Sequence, residues 1–435
     1  MRTTSSTLSV LLVAMVASGV ALAAPGESAT CRLGLAESMP DGLELTSLPG
    51  VRPTHEVLLE MIEASRQTLR IASFYLMLTP EQKKFANHPS TRAGRRVLEA
   101  IKAAGKRGVD IEIVVDSSNK RPMGNQEEIE QIRKFARVHK LDMRRTVGRG
   151  VQHSKFLVAD NQTFYMGSSN FDWRSYAQVK EIGLTGKGCP TLAKDLDKIF
   201  RTLTLMVDRD EVPKEEVARI PAQVNMESPM EVQGLRMFMG ASPALFFPRE
   251  LTNRTDDIDG LLHVINSATK SIDISVMQYS PLQDIFGTGQ RIYWPIIDEA
   301  LRRAAIERKV RVRILLSDWT STKPLDYVWA RSLNSIQSSG LKGGGIHVKM
   351  FKVPSYDEFQ RSVPYSRVKH DKYMVTDKSL YIGTSNWAPD YLECSGGVGV
   401  VMEPNGDPTG NGPEIVQTIR ETFERDFNSQ YANEL

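Results

Sequence analysis

The stretch HSKFLVADNQTFYMGSSN, His153 to Asn170, puts a lysine two positions after a histidine, an aspartate five further on, and a Gly-Ser-x-Asn ending after that. It returns as HDKYMVTDKSLYIGTSN, His370 to Asn386. Positions i and i+2 share one face of a β-strand. His153 with Lys155, and His370 with Lys372, are therefore expected to point into a site, while apolar neighbours such as Phe156 and Tyr373 enter the core. The glycine ending adds a tight turn with small polar donors.

The repetition extends outward. LLEMIEASRQTLRIASFYL from Leu58 aligns without gaps on LLHVINSATKSIDISVMQY from Leu261, and VLEAIKAAGKRGVDIEIVVDSS from Val97 pairs with IDEALRRAAIERKVRVRILLSDW from Ile297. Each reads as an amphipathic helix followed by a strand. The expected fold class is α/β, with two similar layered α-β-α domains related by a pseudo-twofold axis. Val207 to Met230 is charged, holds three prolines and reads as a linker. That gives an N-terminal domain over 24–206, a linker over 207–230 and a C-terminal domain over 231–435. Such symmetry can bring His153 and His370 to one cleft.

The chain of 435 residues suits two domains, and its 41% hydrophobic and 25% charged composition with a mean hydropathy of -0.29 is that of a globular protein. Residues 1–23 differ. Arg2, the apolar run LSVLLVAMVASGVALA and the small-x-small site Ala21-Leu22-Ala23 read as a cleavable signal peptide, which places the chain in the secretory pathway.

A formal net charge of +3 advertises no polyanionic partner. The basic stretches from Lys120 to Arg149 and LRRAAIERKVRVR from Leu301 read as solvated helix and strand faces. Cys31, Cys189 and Cys394 form no CxxC and no cysteine-histidine cluster, which argues against structural zinc. One disulfide and one thiol would fit, with the pairing left open. Of the sequons at Asn161 and Asn253, Asn253 is the better glycosylation candidate because it lies outside the motif.

Across both motifs the halves offer two imidazoles, two ammoniums, the amides of Asn170 and Asn386, and the hydroxyls of Ser168 and Thr384. This set matches a phosphodiester. Cations and donors bind the non-bridging oxygens, one imidazole attacks phosphorus and the other protonates the leaving oxygen. The two lysines neutralise the phosphate, so no metal or other cofactor is called for.

HxKxxxxD followed by G-S/T-x-N, twice, resembles the phospholipase D superfamily. The second copy has one residue fewer between Asp377 and Gly383 than the first has between Asp160 and Gly167. The resemblance implies that Asp160 and Asp377 support the motif structurally. GSSNFDWRSYAQVKEIG, KYMVTDKSLYIGTSNWAPDY and the terminal FERDFNSQY look like the endolysosomal branch of that superfamily. That likeness implies a 5′ exonuclease on single-stranded DNA or RNA. Hydrolysis or transphosphatidylation of phospholipid is the alternative substrate reading, and a vestigial secreted or membrane-remodelling protein the alternative class. Intact His and Lys in both copies weigh against the last. The location implied is the lysosomal lumen or outside the cell, and the oligomeric state is left open.

Glu181 lies eleven residues after Asn170, where the superfamily's pattern places a carboxylate, whereas the same offset from Asn386 gives Gly397. Glu393 is out of register and reads as a surface group. Glu181 is therefore expected to orient His153 as the nucleophile, leaving His370 as general acid and later as base, with the reverse assignment left open by the symmetry of the motifs. Trp173, Trp387 and Tyr391 follow the turns and are candidates to stack bases, pack lipid chains or fill the interface between the halves.

Overall fold

The computed structural model describes residues 31–119, 123–285, 290–337, 344–405 and 414–435. The signal-peptide reading of 1–23 lies outside them. Each half wraps helices around a mixed sheet. In the first, seven strands run in the order Arg32–Ser38, Val179–Lys187, Thr163–Gly167, Phe156–Ala159, Thr68–Ala72, Asp110–Asp116, Arg137–Leu141. In the second the order is Leu235–Ser242, Gly397–Pro404, Leu380–Gly383, Lys372–Thr376, Ser271–Val276, Arg311–Ser317, Gly345–Phe351. Four antiparallel pairings followed by two parallel ones occur in both. The repeated sequence is thus a repeated fold.

Apolar periodicity explains the helices. Ile296–Ile306 buries Ile297, Ala300, Leu301, Ala304 and Ala305, one stripe at helical spacing, and Arg92–Lys106 buries Val97, Leu98, Ile101 and Ala104 likewise. The basic stretches are largely neutralised on their outer faces. Arg302 pairs with Asp298, Arg303 with Glu299, Arg137 with Asp110 and Glu112, and Arg145 with Asp208 and Asp210.

The segment 207–230 holds one short helix, Lys214–Val217, and joins the helix Pro190–Leu205 to the strand Met230–Val232. The halves are nevertheless interlocked. Val368–Lys369, from the second half, pairs in parallel with Val179 and Lys180 of the first sheet. Gln152 makes the equivalent parallel bridge to Gly396. Cys31 and Cys189 form a disulfide that ties the first strand to the start of the helix Pro190–Leu205, and Cys394 is a buried free thiol.

Candidate active site

The motif histidines sit just ahead of their strands, which begin at Phe156 and Lys372, rather than inside them. Each is held by its backbone in the same way. His153 N–H donates to the carbonyl of Gly396 at 2.9 Å, and His370 N–H donates to the carbonyl of Lys180 at 2.8 Å. Each lysine folds back to donate to the carbonyl of its own histidine. Phe156 and Tyr373 are buried in the core, as the strand spacing requires.

The two aspartates are braces remote from this chemistry. Asp160 accepts from the backbone N–H groups of Arg66, Gln67 and Thr68 at 2.7–2.8 Å, and Asp377 accepts from Thr269, Lys270 and Ser271 at 2.9–3.2 Å. Each locks the turn from a helix into the strand that follows it, Thr54–Ala64 into Thr68–Ala72 and Asp257–Ser267 into Ser271–Val276. The missing residue of the second copy falls in the hairpin turn. Asp160 and Asn161 adopt positive φ there, and the second hairpin closes more tightly, with Thr376 N–H donating to Ser379. The braces are unaffected.

Ser168 and Thr384, expected to bind phosphate, are committed to neighbouring strands. The Ser168 hydroxyl donates to the Ile182 carbonyl at 3.1 Å and accepts from its N–H at 3.0 Å, while Thr384 Oγ1 accepts from Val398 N–H at 2.9 Å. A short hydroxyl buried beside a strand edge finds backbone partners before it finds a ligand. Asn170 and Asn386 do line the cleft. Gly167 is required by close approach, since a Cβ there would lie 2.5 Å from Gly183 Cα and from the Ile182 carbonyl oxygen.

His153, His370, Asn170, Asn386 and Glu181 meet in one cleft of about 650 Å³ between the halves. The expected orienting contact is corrected here. Glu181 Oε2 lies 2.8 Å from Nδ1 of His370, not of His153. The cause is the interlocking of the halves, because the strand carrying Glu181 holds the backbone of the opposite motif. The symmetric position facing His153 is Gly397, paired with Ser242 as Glu181 is paired with Ser38. A Cβ at Gly397 would meet Ser385 Oγ at 2.3 Å and Ser242 Oγ at 2.6 Å, so no carboxylate fits there. His153 Nδ1 has no hydrogen-bond partner among the described residues. Glu393 is exposed.

This asymmetry separates the two imidazoles electrostatically. Burial, followed by the charges of Lys155, Lys372 and His370, holds His153 well below the usual histidine range. His370 is also lowered by burial, but the Glu181 carboxylate opposes the shift by charge and by hydrogen bond. Burial pushes the Lys372 ammonium down to about 7 and holds Lys155 well below its ordinary value, with the opposing lysine as the next cause for Lys155. An anionic phosphate placed between them acts in the opposite direction on all four groups.

Around this centre Tyr391 and Trp173 were already candidates in the sequence, whereas Phe74, Arg174 and a buried charge network were not. Tyr391 packs edge-on to His153 with centroids 4.8 Å apart, and Phe74 lies 5.3 Å from the same ring. Arg174 is clamped by Asp172 at 2.6 Å, by the Pro364 carbonyl at 2.8 Å and by the Tyr75 hydroxyl at 3.2 Å. Trp173 lines the cleft, whereas Trp387 is buried in the core cluster. Behind His370 and Glu181 lies a buried charge network. Lys180 Nζ reaches Asp426 at 2.7 Å, Glu37 at 2.8 Å and Asp371 at 3.5 Å. Lys369 contacts Asp371 and Asp426, and Arg425 contacts Asp426 at 2.9 Å and Glu37. Three acids face three bases. The segments VKEIG and FERDF, already singled out in the sequence, carry half of these residues.

Two interlocked α/β halves presenting paired His-Lys motifs to a shared cleft define a hydrolase of the phospholipase D superfamily. More narrowly, residues 49–356 match the family model described as "PLD3/4, PLD-like domain", and the chain belongs to that family. It is 36% identical over 408 residues to 5′-3′ exonuclease PLD3 of Xenopus laevis, covering 92% of this chain and 80% of the relative. To 5′-3′ exonuclease PLD4 of Mus musculus it is 34% identical over 413 residues, covering 93% and 80%. Among solved structures, phosphatidylserine synthase of Haemophilus influenzae Rd KW20 shares the fold at a TM-score of 0.57 and 12% identity, over 88% of this chain and 85% of that one.

Proposed function

We propose that the protein is a 5′-to-3′ exonuclease that releases nucleoside 3′-phosphates from single-stranded DNA or RNA. The observation that carries the chemistry is the single carboxylate placed on one of two otherwise equivalent histidines. The substrate is supported by the relatives, whose names say 5′-3′ exonuclease.

An imidazolium forms where a carboxylate stabilises it, and a neutral imidazole persists where burial and nearby cations outweigh a single backbone contact at Thr384. His370 therefore enters the cycle as the acid and His153 as the nucleophile. The sequence had drawn the same roles from a contact of Glu181 with His153; with that contact on His370 instead, they rest on Glu181 favouring the His370 imidazolium. His153 nitrogen attacks phosphorus, the P–O5′ bond breaks, and His370 gives its proton to the departing O5′. Water then attacks the phosphohistidine, His370 takes the proton, and the N–P bond breaks to free the 3′-phosphate. Lys155, Lys372, Asn170 and Asn386 hold the non-bridging oxygens as charge shifts among them.

The Cys31–Cys189 disulfide fits an oxidising compartment, in keeping with a lysosomal or extracellular location. Among the described residues no helix is long and apolar enough to cross a membrane. Asn253 is exposed at the end of a short helix, as a glycan acceptor must be. The deciding assay sets single-stranded oligonucleotides with 5′-hydroxyl ends beside phosphatidylcholine. Nucleotide release from the 5′ end is expected. Choline release without nucleotide release would move the same chemistry to lipid, and neither product would leave the vestigial reading.

A further inference from the structure

We infer that a clasp between the halves walls one side of the cleft and makes the enzyme select chain ends. The inference rests on the exonuclease reading above and names the residues behind its end specificity. Phe85, Trp173 and Val363 are buried in an apolar cluster separate from the two larger cores, with the half-buried Met77 and Phe359 packed against it. Phe85 and Trp173 come from the first half, Phe359 and Val363 from the second. The rings of Phe85 and Phe359 meet edge to face at 5.6 Å, and His88 stacks on Phe359 with an interplanar angle of 10°.

A polar seam backs this cluster and also crosses between the halves. Gln178 donates to Asp41 at 3.0 Å and to Ser90 at 3.1 Å, while Arg367 donates to the Asp41 carbonyl at 3.0 Å and to Gln178 at 3.2 Å. Arg174 adds its bond to the Pro364 carbonyl. Met77, Phe85, Trp173, Pro364 and Tyr365 all line the same cleft as His153 and His370. The clasp is therefore a wall of the substrate site.

To cut inside a chain, an enzyme must let nucleotides leave the reacting phosphate on both sides. A wall tied to both halves leaves one of those paths ending after the terminal nucleoside. Its lining supplies flat apolar surface for a base, because ring stacking accepts any of the bases. The arginine within it is already committed to Asp172, Tyr75 and Pro364. End selection is then a steric property of the clasp, separate from the histidine chemistry.

The test compares wild type, Phe359→Ala and Phe85→Ala/Phe359→Ala on linear and on circular single-stranded DNA. A cooperative melt identifies folded protein. Wild type should degrade the linear strand and leave circles intact, whereas a folded variant should open circles at least tenfold faster than wild type. Circle cleavage by wild type, or a folded variant that degrades only linear strands, would overturn the inference. Should neither variant fold, wild type still decides: a bulky protein conjugated to the 5′ end must block degradation and the same conjugate at the 3′ end must not, and degradation past a 5′ conjugate would refute the wall. Wild type that degrades no linear strand would instead overturn the exonuclease reading itself.

Discussion

Glu181 Oε2 sits 2.8 Å from His370 Nδ1, and its symmetry counterpart is a glycine, Gly397, whose Cβ position is filled by Ser385 and Ser242. A fold built from two near-identical halves has thereby made its two histidines unequal with one side chain. Exchange of strands between the halves delivers that side chain to the motif of the opposite half. The chemical division of labour is therefore a product of the interface and not of either motif alone.

The dependence of kcat/KM on pH should be a bell lying on the acid side of 6.5. The general acid His370 must be protonated, so activity falls as pH rises through its lowered value. The nucleophile His153 must be neutral, so activity falls at low pH as it becomes protonated, and its value is lowered well below the ordinary one. Because the two are coupled, the limbs belong to the pair. An alkaline limb above 7 in the free enzyme would contradict this scheme.

Glu181→Gln keeps the shape and removes the charge that favours the His370 imidazolium. The alkaline limb should move to lower pH, and kcat/KM near the optimum should fall by about 10²-fold, the scale of a general acid's contribution. A pH-rate profile of the variant measures both. If the rate falls uniformly and the limb stays in place, Glu181 acts only as a spacer.

The fold could be read from the sequence because its signals were periodic: the helix stripe around Leu301 and above all the repeat itself. Asp160 and Asp377 were legible as supports through the resemblance, though not the backbone turns they lock. What failed was inference across the interface. The offset from Asn170 to Glu181 locates the carboxylate along the chain, but which histidine it meets depends on the pairing of Lys180 with Lys369, a contact between residues far apart in sequence. Ser168 and Thr384 misled for a related reason. Their hydroxyls look free in sequence, and only the neighbouring strands at Ile182 and Val398 show otherwise.

The buried network behind His370 should control stability more than binding. Asp426 faces Lys180, Lys369 and Arg425, which hold its carboxyl far below the usual range despite burial. Replacing it with Asn leaves buried ammoniums underpaired, a change that typically costs about 3–5 kcal/mol. The sign with pH follows from the lowered folded value. The carboxylate's contribution is fully present above the unfolded value of about 4 and is lost as pH falls through the folded one. Chemical denaturation of Asp426→Asn should show a gap from wild type that is constant between about pH 5 and 7 and narrows only in stronger acid. A gap that closes already near pH 6 would place the titrating group elsewhere.

The roles of the two histidines separate most cleanly on a substrate whose leaving group is nitrophenolate, which needs little protonation. His370→Ala retains the nucleophile, so attack by His153 should proceed and release about one equivalent of nitrophenol per site in a burst. Turnover should then nearly stop, because no base remains to deprotonate the water that hydrolyses the phosphoenzyme. His153→Ala should give no burst. The phosphate trapped in His370→Ala should map to His153 and be acid-labile, as a phosphoramidate is. Should the burst instead appear in His153→Ala, with phosphate on His370, the carboxylate of Glu181 would be raising the nucleophilicity of its partner and not its readiness to donate a proton, and the two roles would exchange.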